Sequence, residues 1–141
     1  MLSLDFSGEA FYQSDGDGYY RPVVPVRFIN PQSGAVIDDR GLVDTGADSS
    51  VLTLDSLRLL GFDLETLPVR TTFGSAGEVT SYEANLIMRL CGVQFRARVV
   101  APKIEDLGHN LLGRDPLFRF VHFAFEEYED ARRNRLLWKL P

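Results

Sequence analysis

The chain has 141 residues, of which 45% are hydrophobic and 25% charged, the make-up of one soluble globular domain able to bury a core. A formal net charge of -5 argues against nucleic acid as a partner, because phosphate backbones are bound by basic faces. No run approaches the roughly 20 apolar residues of a membrane-spanning helix, and the start lacks a signal-peptide pattern, so a cytoplasmic protein with no membrane contact is expected.

Phe11, Tyr12 and Gln13 lead into Ser14-Asp15-Gly16-Asp17-Gly18, a strong turn signal. Residues 19–29 are strand-like, carrying Val23, Val24, Val26, Phe28 and Ile29. Pro22 and Pro25 lack backbone donors, which predicts an edge strand or a break there. After the turn Asn30-Pro31-Gln32-Ser33-Gly34, the apolar runs Ala35-Val36-Ile37 and Leu42-Val43 flank the polar residues 38–41 and deliver the chain to Asp44. Residues 53–60 predict a short helix. Thr53 can cap it, Asp55 suits the dipole in the first turn, and Leu54, Leu57 and either Leu59 or Leu60 form an apolar stripe that Gly61 ends.

Residues 69–73 and 78–90 are strand-like on either side of Gly74-Ser75-Ala76-Gly77, a hairpin tip. Cys91-Gly92 then turns the chain into residues 93–101, where Val93, Phe95, Ala97 and Val99 alternate with Gln94, Arg96 and Arg98. The only cysteine has no disulfide partner in the chain and no nearby His, so it is read as a turn residue rather than a nucleophile. Residues 102–108 form a loop, residues 110–115 a short apolar strand ending in glycine and charge, and Pro116 opens a brief helix through Phe120. Residues 121–140 predict a terminal hairpin. Arg132, Arg133 and Arg135 are read as a solvated turn within it, and Trp138 with Phe118, Phe120, Phe123 and Phe125 as core or dimer interface. No repeat or linker interrupts the chain, so residues 1–141 form a single domain.

Gly41-Leu42-Val43-Asp44-Thr45-Gly46-Ala47-Asp48 brings two apolar residues straight into an Asp. A carboxylate at the end of a buried strand is costly unless it is paired or its pKa moves, so the position points to chemistry. A turn or capping Asp is the structural alternative. A divalent ion held by Asp38, Asp39, Asp44 and Asp48 is another, but the ligand spacing of a calcium loop is missing. The Asp15–Gly18 run is better explained by a turn, and His109 and His122 show no ligand spacing. Neither a metal nor a cofactor is expected.

Leu42-Val43-Asp44-Thr45-Gly46-Ala47-Asp48 resembles the active-site loop of the retropepsin-like aspartic proteases, the single-domain branch typified by retroviral proteases. Leu111-Leu112-Gly113-Arg114-Asp115 resembles the apolar-apolar-Gly-Arg-(Asn/Asp) element before the C-terminal helix of that branch. The two motifs occur in the family's order with a glycine-tipped hairpin between them, and the resemblance spans residues 23–120. It implies a mostly-β, closed acid-protease barrel with one or two short helices, and an aspartic endopeptidase acting on peptide or protein substrates. Such chemistry uses two carboxylates about 3 Å apart that share one proton, one side activating water and the other protonating the carbonyl oxygen or leaving amine.

One Asp-Thr-Gly per chain supplies one carboxylate, so the resemblance implies a homodimer with Asp44 and its symmetry mate at the two-fold axis. Thr45 would lock the two loops together, Gly46 would permit the tight turn and accept substrate contact, and Ala47 and Asp48 would face the substrate. Asp48 would also pair with Arg114, braced by Leu111, Leu112 and Gly113. Phe73, Gly74, Ser75, Ala76 and Gly77 would form a flap over bound peptide. The chain departs from the retroviral pattern in its N-terminal extension, its terminal hairpin and its Gly-Ser-Ala-Gly tip. A non-proteolytic dimerisation or peptide-binding module of the same fold is the alternative.

Overall fold

The computed structural model describes residues 5–74, 77–105 and 107–141, so Ser75 and Ala76 of the expected tip lie outside the described residues. In chain order the elements are β1 (Gly8–Phe11), β2 (Val23–Ile29), β3 (Val36–Val43), β4 (Ser50–Val51), α1 (Leu54–Leu59), β5 (Val69–Gly74), β6 (Gly77–Leu90), β7 (Val93–Pro102), β8 (Asn110–Leu112), α2 (Leu117–Phe120), β9 (His122–Glu126) and β10 (Arg135–Lys139). Single 3-10 turns lie at Leu64–Thr66 and Ala131–Arg133.

Strands β2, β3, β8, β4, β7 and β6 pair in that order, and β6 returns to β2, which closes a six-stranded barrel. Strand β5 continues from β6 as the outer arm of a hairpin. The barrel interior is filled by the buried alternate residues of β6 (Ala84, Leu86, Met88, Leu90) and β7 (Phe95, Ala97, Val99, Ala101), joined by Phe28, Leu112 and Leu117. The fold is thus the mostly-β barrel with two short helices that the resemblance implies.

Helix α1 follows from its sequence. The Thr53 hydroxyl accepts from Ser56 N at 3.1 Å, and Gly61 ends the helix with φ +77°. Leu54, Leu57 and Leu60 are buried while Leu59 is exposed, so the three-residue step sets which leucine faces the core. Cys91 and Gly92 both have positive φ and form the two-residue turn between paired Leu90 and Val93. Burial pushes the Cys91 thiol up to about 12, far from a reactive thiolate at neutral pH.

Two local expectations change. Strand β2 is not an edge: it pairs with β3 along its whole length and with β6 over Arg27–Ile29. Pro25 fits because Val43 N donates to Pro22 O, which makes Pro25–Arg40 a non-hydrogen-bonded pair; its nitrogen faces the stretch that β6 leaves unpaired. Residues 38–41 do not separate two runs but continue β3, with Asp38, Asp39 and Arg40 all exposed. Asp38 there takes both arms of the Arg27 guanidinium, at 2.7 and 2.9 Å.

The terminal hairpin gains a third strand. Strand β1 pairs with β10, and β10 with β9. Gly8 is required at this junction, since a Cβ there would stand 2.5 Å from the Trp138 indole. Arg135 lies in β10 rather than in the turn and bridges Glu9 of β1 at 2.7 Å and Glu126 of β9 at 2.5 Å.

Candidate active site

Strand β3 ends on Val43, buried, and the next residue is Asp44. Its backbone N donates to Leu112 O at 3.0 Å, which ties the strand end to β8. The side chain is held by the loop itself: Gly46 N donates to Asp44 Oδ1 at 2.9 Å, and Ala47 N to Asp44 O at 3.3 Å. A Cβ at Gly46 would sit 3.3 Å from that same carboxylate oxygen, so glycine lets the backbone close on it. The expectation of a buried carboxylate is corrected: within one chain Asp44 is half-buried and Thr45 and Gly46 are exposed. Val43 closes the strand in the core, and Asp44, the next residue, stands where the chain leaves β3 for the turn.

The loop rests on the segment after β8. Leu42 and Val43 of β3 lie opposite Leu111 and Leu112 in a parallel ladder. Gly41 leaves room for Leu112, whose Cγ would be 2.6 Å from a Cβ. Gly113 N donates to Ser50 Oγ at 3.1 Å, Arg114 N to Ala47 O at 2.9 Å and Asp115 N to Asp48 O at 2.8 Å. Gly113 packs closest of all, since a Cβ would stand 2.3 Å from Ser49 O. The Arg114 guanidinium donates to the Asp48 carboxylate within the same chain, with both side chains largely exposed, 52% and 86%.

The structure therefore brings residues 44–48 together with residues 111–114. Phe73, Gly74 and Gly77 stand elsewhere, at the far end of the β5–β6 ladder, where Gly74 pairs with Gly77 and Phe73 is 83% exposed.

Asn110 is the supporting residue that sequence reasoning missed. It is buried, its Nδ2 donates to Asp39 Oδ2 at 2.9 Å and Arg40 O at 3.3 Å, and its Oδ1 accepts from Thr53 N and Ser56 Oγ. One amide thus links β3, β8 and the start of α1. A polar residue opening an apolar strand is the only sequence signal of this role. Ser50, whose hydroxyl holds Gly113, was missed for the same reason: its partner is 63 residues away. Among the described residues no group of three or more His, Cys, Asp and Glu is placed to hold a metal ion, and no helix is long and apolar enough to cross a membrane.

No protein-family model matches the sequence, and no curated protein matches it. Solved structures do. A retropepsin-like aspartic protease from Rickettsia conorii superposes with a TM-score of 0.62 at 28% identity, over 93% of this chain and 98% of that one. The EIAV protease complexed with the inhibitor HBY-793 superposes with a TM-score of 0.55 at 23% identity, over 75% of this chain and 92% of that one, a likeness of fold.

Proposed function

We propose that this chain, a retropepsin-like domain, is an aspartic endopeptidase that works as a homodimer and hydrolyses peptide bonds with a water activated between two copies of Asp44. The observation that carries this is the state of Asp44 itself. Asp44 is a carboxylate oriented by its own loop, half-buried just beyond β3 and without a cationic partner among the described residues, which supports reading it as half of a shared site. A second copy brought up along a two-fold axis supplies the other half and removes both carboxylates from bulk water.

Two carboxylates at that separation cannot both be ionised. The ionised member takes a proton from the water as it attacks the carbonyl carbon, and the protonated member donates to the developing oxyanion. In this proposal Thr45 holds the two loops in register and Gly46, Ala47 and Asp48 line the peptide. Arg114 is a positioning residue that braces Asp48, supported by Leu111, Leu112 and Gly113. The end of the β5–β6 hairpin that carries Phe73, Gly74 and Gly77 closes over the substrate and excludes water.

Asp44→Asn tests the mechanism. The carboxamide keeps the size and the hydrogen bond from Gly46 N but cannot act as a base. Cleavage of a peptide library should fall by at least about a thousandfold, within the range that acid–base groups contribute, while the dimer persists by sedimentation. Cleavage at the parental rate, or a protein that stays monomeric at all concentrations at which it cleaves, would overturn the proposal.

A further inference from the structure

A groove of about 690 Å³ lies beside the Asp44 loop. One wall is Ser49 and Asp115, the residues that directly follow Asp48 and Arg114. The others are Arg70 on β5, Arg96 and Arg98 on β7 and Arg119 on α2. Arg96 and Arg98 are two apart on a strand and so share its outward face. Four arginines line this groove on a chain whose net charge is -5.

Nearby carboxylates offset only part of this charge. Glu83 lies 2.9 Å from Arg98 and 3.6 Å from Arg70, and Asp115 lies 2.9 Å from Arg119. Arg96 has no carboxylate partner among the described residues. The guanidinium fork suits carboxylates, two hydrogen bonds at a time. The positive charge is local, and the acidic remainder of the chain would repel a polyanion that ran beyond the groove. A few acidic side chains on a peptide match it best. Ser49 and Asp115 join this groove to Asp48 and Arg114, which line or brace the peptide site in the proposed dimer, so a peptide held there has the groove beside it.

We propose that this groove binds Asp and Glu side chains of the protein substrate away from the scissile bond, and so selects cleavage sites with acidic flanks. The proposal rests on the peptidase reading of Asp44. Two-fold symmetry repeats the groove at the other end of the site, so acidic residues on both flanks are engaged.

The test uses two labelled peptides sharing one central sequence, a cleaved site where a library digest yields one and a fixed apolar hexapeptide otherwise, one flanked on both sides by three Glu, the other by three Gln. The acidic peptide should show roughly tenfold higher kcat/KM, the combined effect of a few surface ion pairs, and the advantage should shrink in 1 M NaCl. The double variant Arg96→Gln/Arg98→Gln should bring the ratio to roughly one, and Arg96→Lys/Arg98→Lys should restore part of it. Fluorescence anisotropy on the Asp44→Asn protein measures the same preference without cleavage. Selective binding of the Glu peptide, lost in the Gln double variant, supports the groove even if no peptide is ever cut, and that result would count against the peptidase alone. Equal cleavage or equal binding of the two peptides, or a preference untouched by the Arg96 and Arg98 variants, would overturn the groove.

Discussion

Gly113 is the residue at which the Asp44 loop tolerates least. The atom a Cβ would meet is a backbone oxygen, and Ser49 cannot move without disturbing the adjoining Ala47–Arg114 and Asp48–Asp115 hydrogen bonds. At Gly41 the obstacle is the Leu112 side chain, which can change rotamer. Gly113→Ala should therefore cost roughly 3 kcal/mol and Gly41→Ala roughly 1–2 kcal/mol, measured by denaturant unfolding. Equal costs would show that the backbone contact relaxes. Arg114 follows a different logic. Its pair with Asp48 is too exposed to contribute more than about 1 kcal/mol to stability. If its role is positioning, Arg114→Ala should lower kcat/KM far more than that stability loss explains, with Arg114→Lys, which keeps the charge, recovering part of the loss. Wild-type activity in Arg114→Ala would end that role.

At the scale of elements, α1 was legible because its determinants are local. Thr53 caps within three residues and the leucine stripe repeats within one turn. The Cys91-Gly92 hairpin was legible for the same reason. Barrel closure was expected from the family resemblance alone, because β2 meets β6 across some 60 residues and no local pattern encodes it. The prolines of β2 misled for that reason: a missing donor signals an edge unless the geometry turns the nitrogen to an unpaired stretch. Asn110 carries the same lesson. Thr53→Ala should cost about 1 kcal/mol, while Asn110→Ala, which removes a buried amide bonded to β3 and to the start of α1, should cost about 2–3 kcal/mol in the same unfolding assay. An Asn110 variant no worse than the Thr53 variant would show that water replaces the amide.

At the scale of the whole molecule, much of the charge sits in exposed pairs. Arg21 holds the Asp17 carboxyl at about 2, and Asp38, Glu105 and Glu126 are held below the usual carboxylate range by hydrogen bonds from Arg27, Arg58 and Arg135. Because these folded values are depressed, the stabilisation is complete above the unfolded carboxyl pKa of about 4 and is lost as pH falls through the folded values. The melting temperature should hold near neutrality and decline below about pH 4. The decline should be smaller in high salt, where exposed pairs are already weakened. A flat profile down to pH 2 would mean the pairs contribute nothing. If two chains assemble as proposed, the melting temperature should also rise with protein concentration.

The sequence by itself determined the local features. The Asp44 loop, the Leu-Leu-Gly-Arg-Asp element, helix α1, the turns and the alternation of β6 and β7 all depend on residues a few positions apart. The homodimer was read from one Asp-Thr-Gly in one chain and stands as a proposal. Tertiary structure alone decided how the barrel closes, that β1 joins the terminal hairpin, that Asn110 and Ser50 hold the site from below, and that four arginines from three elements share one groove. The physical reason is distance along the chain. Caps, turns and face alternation are settled by neighbours, whereas a ladder or a charged groove forms only when folding brings remote residues together.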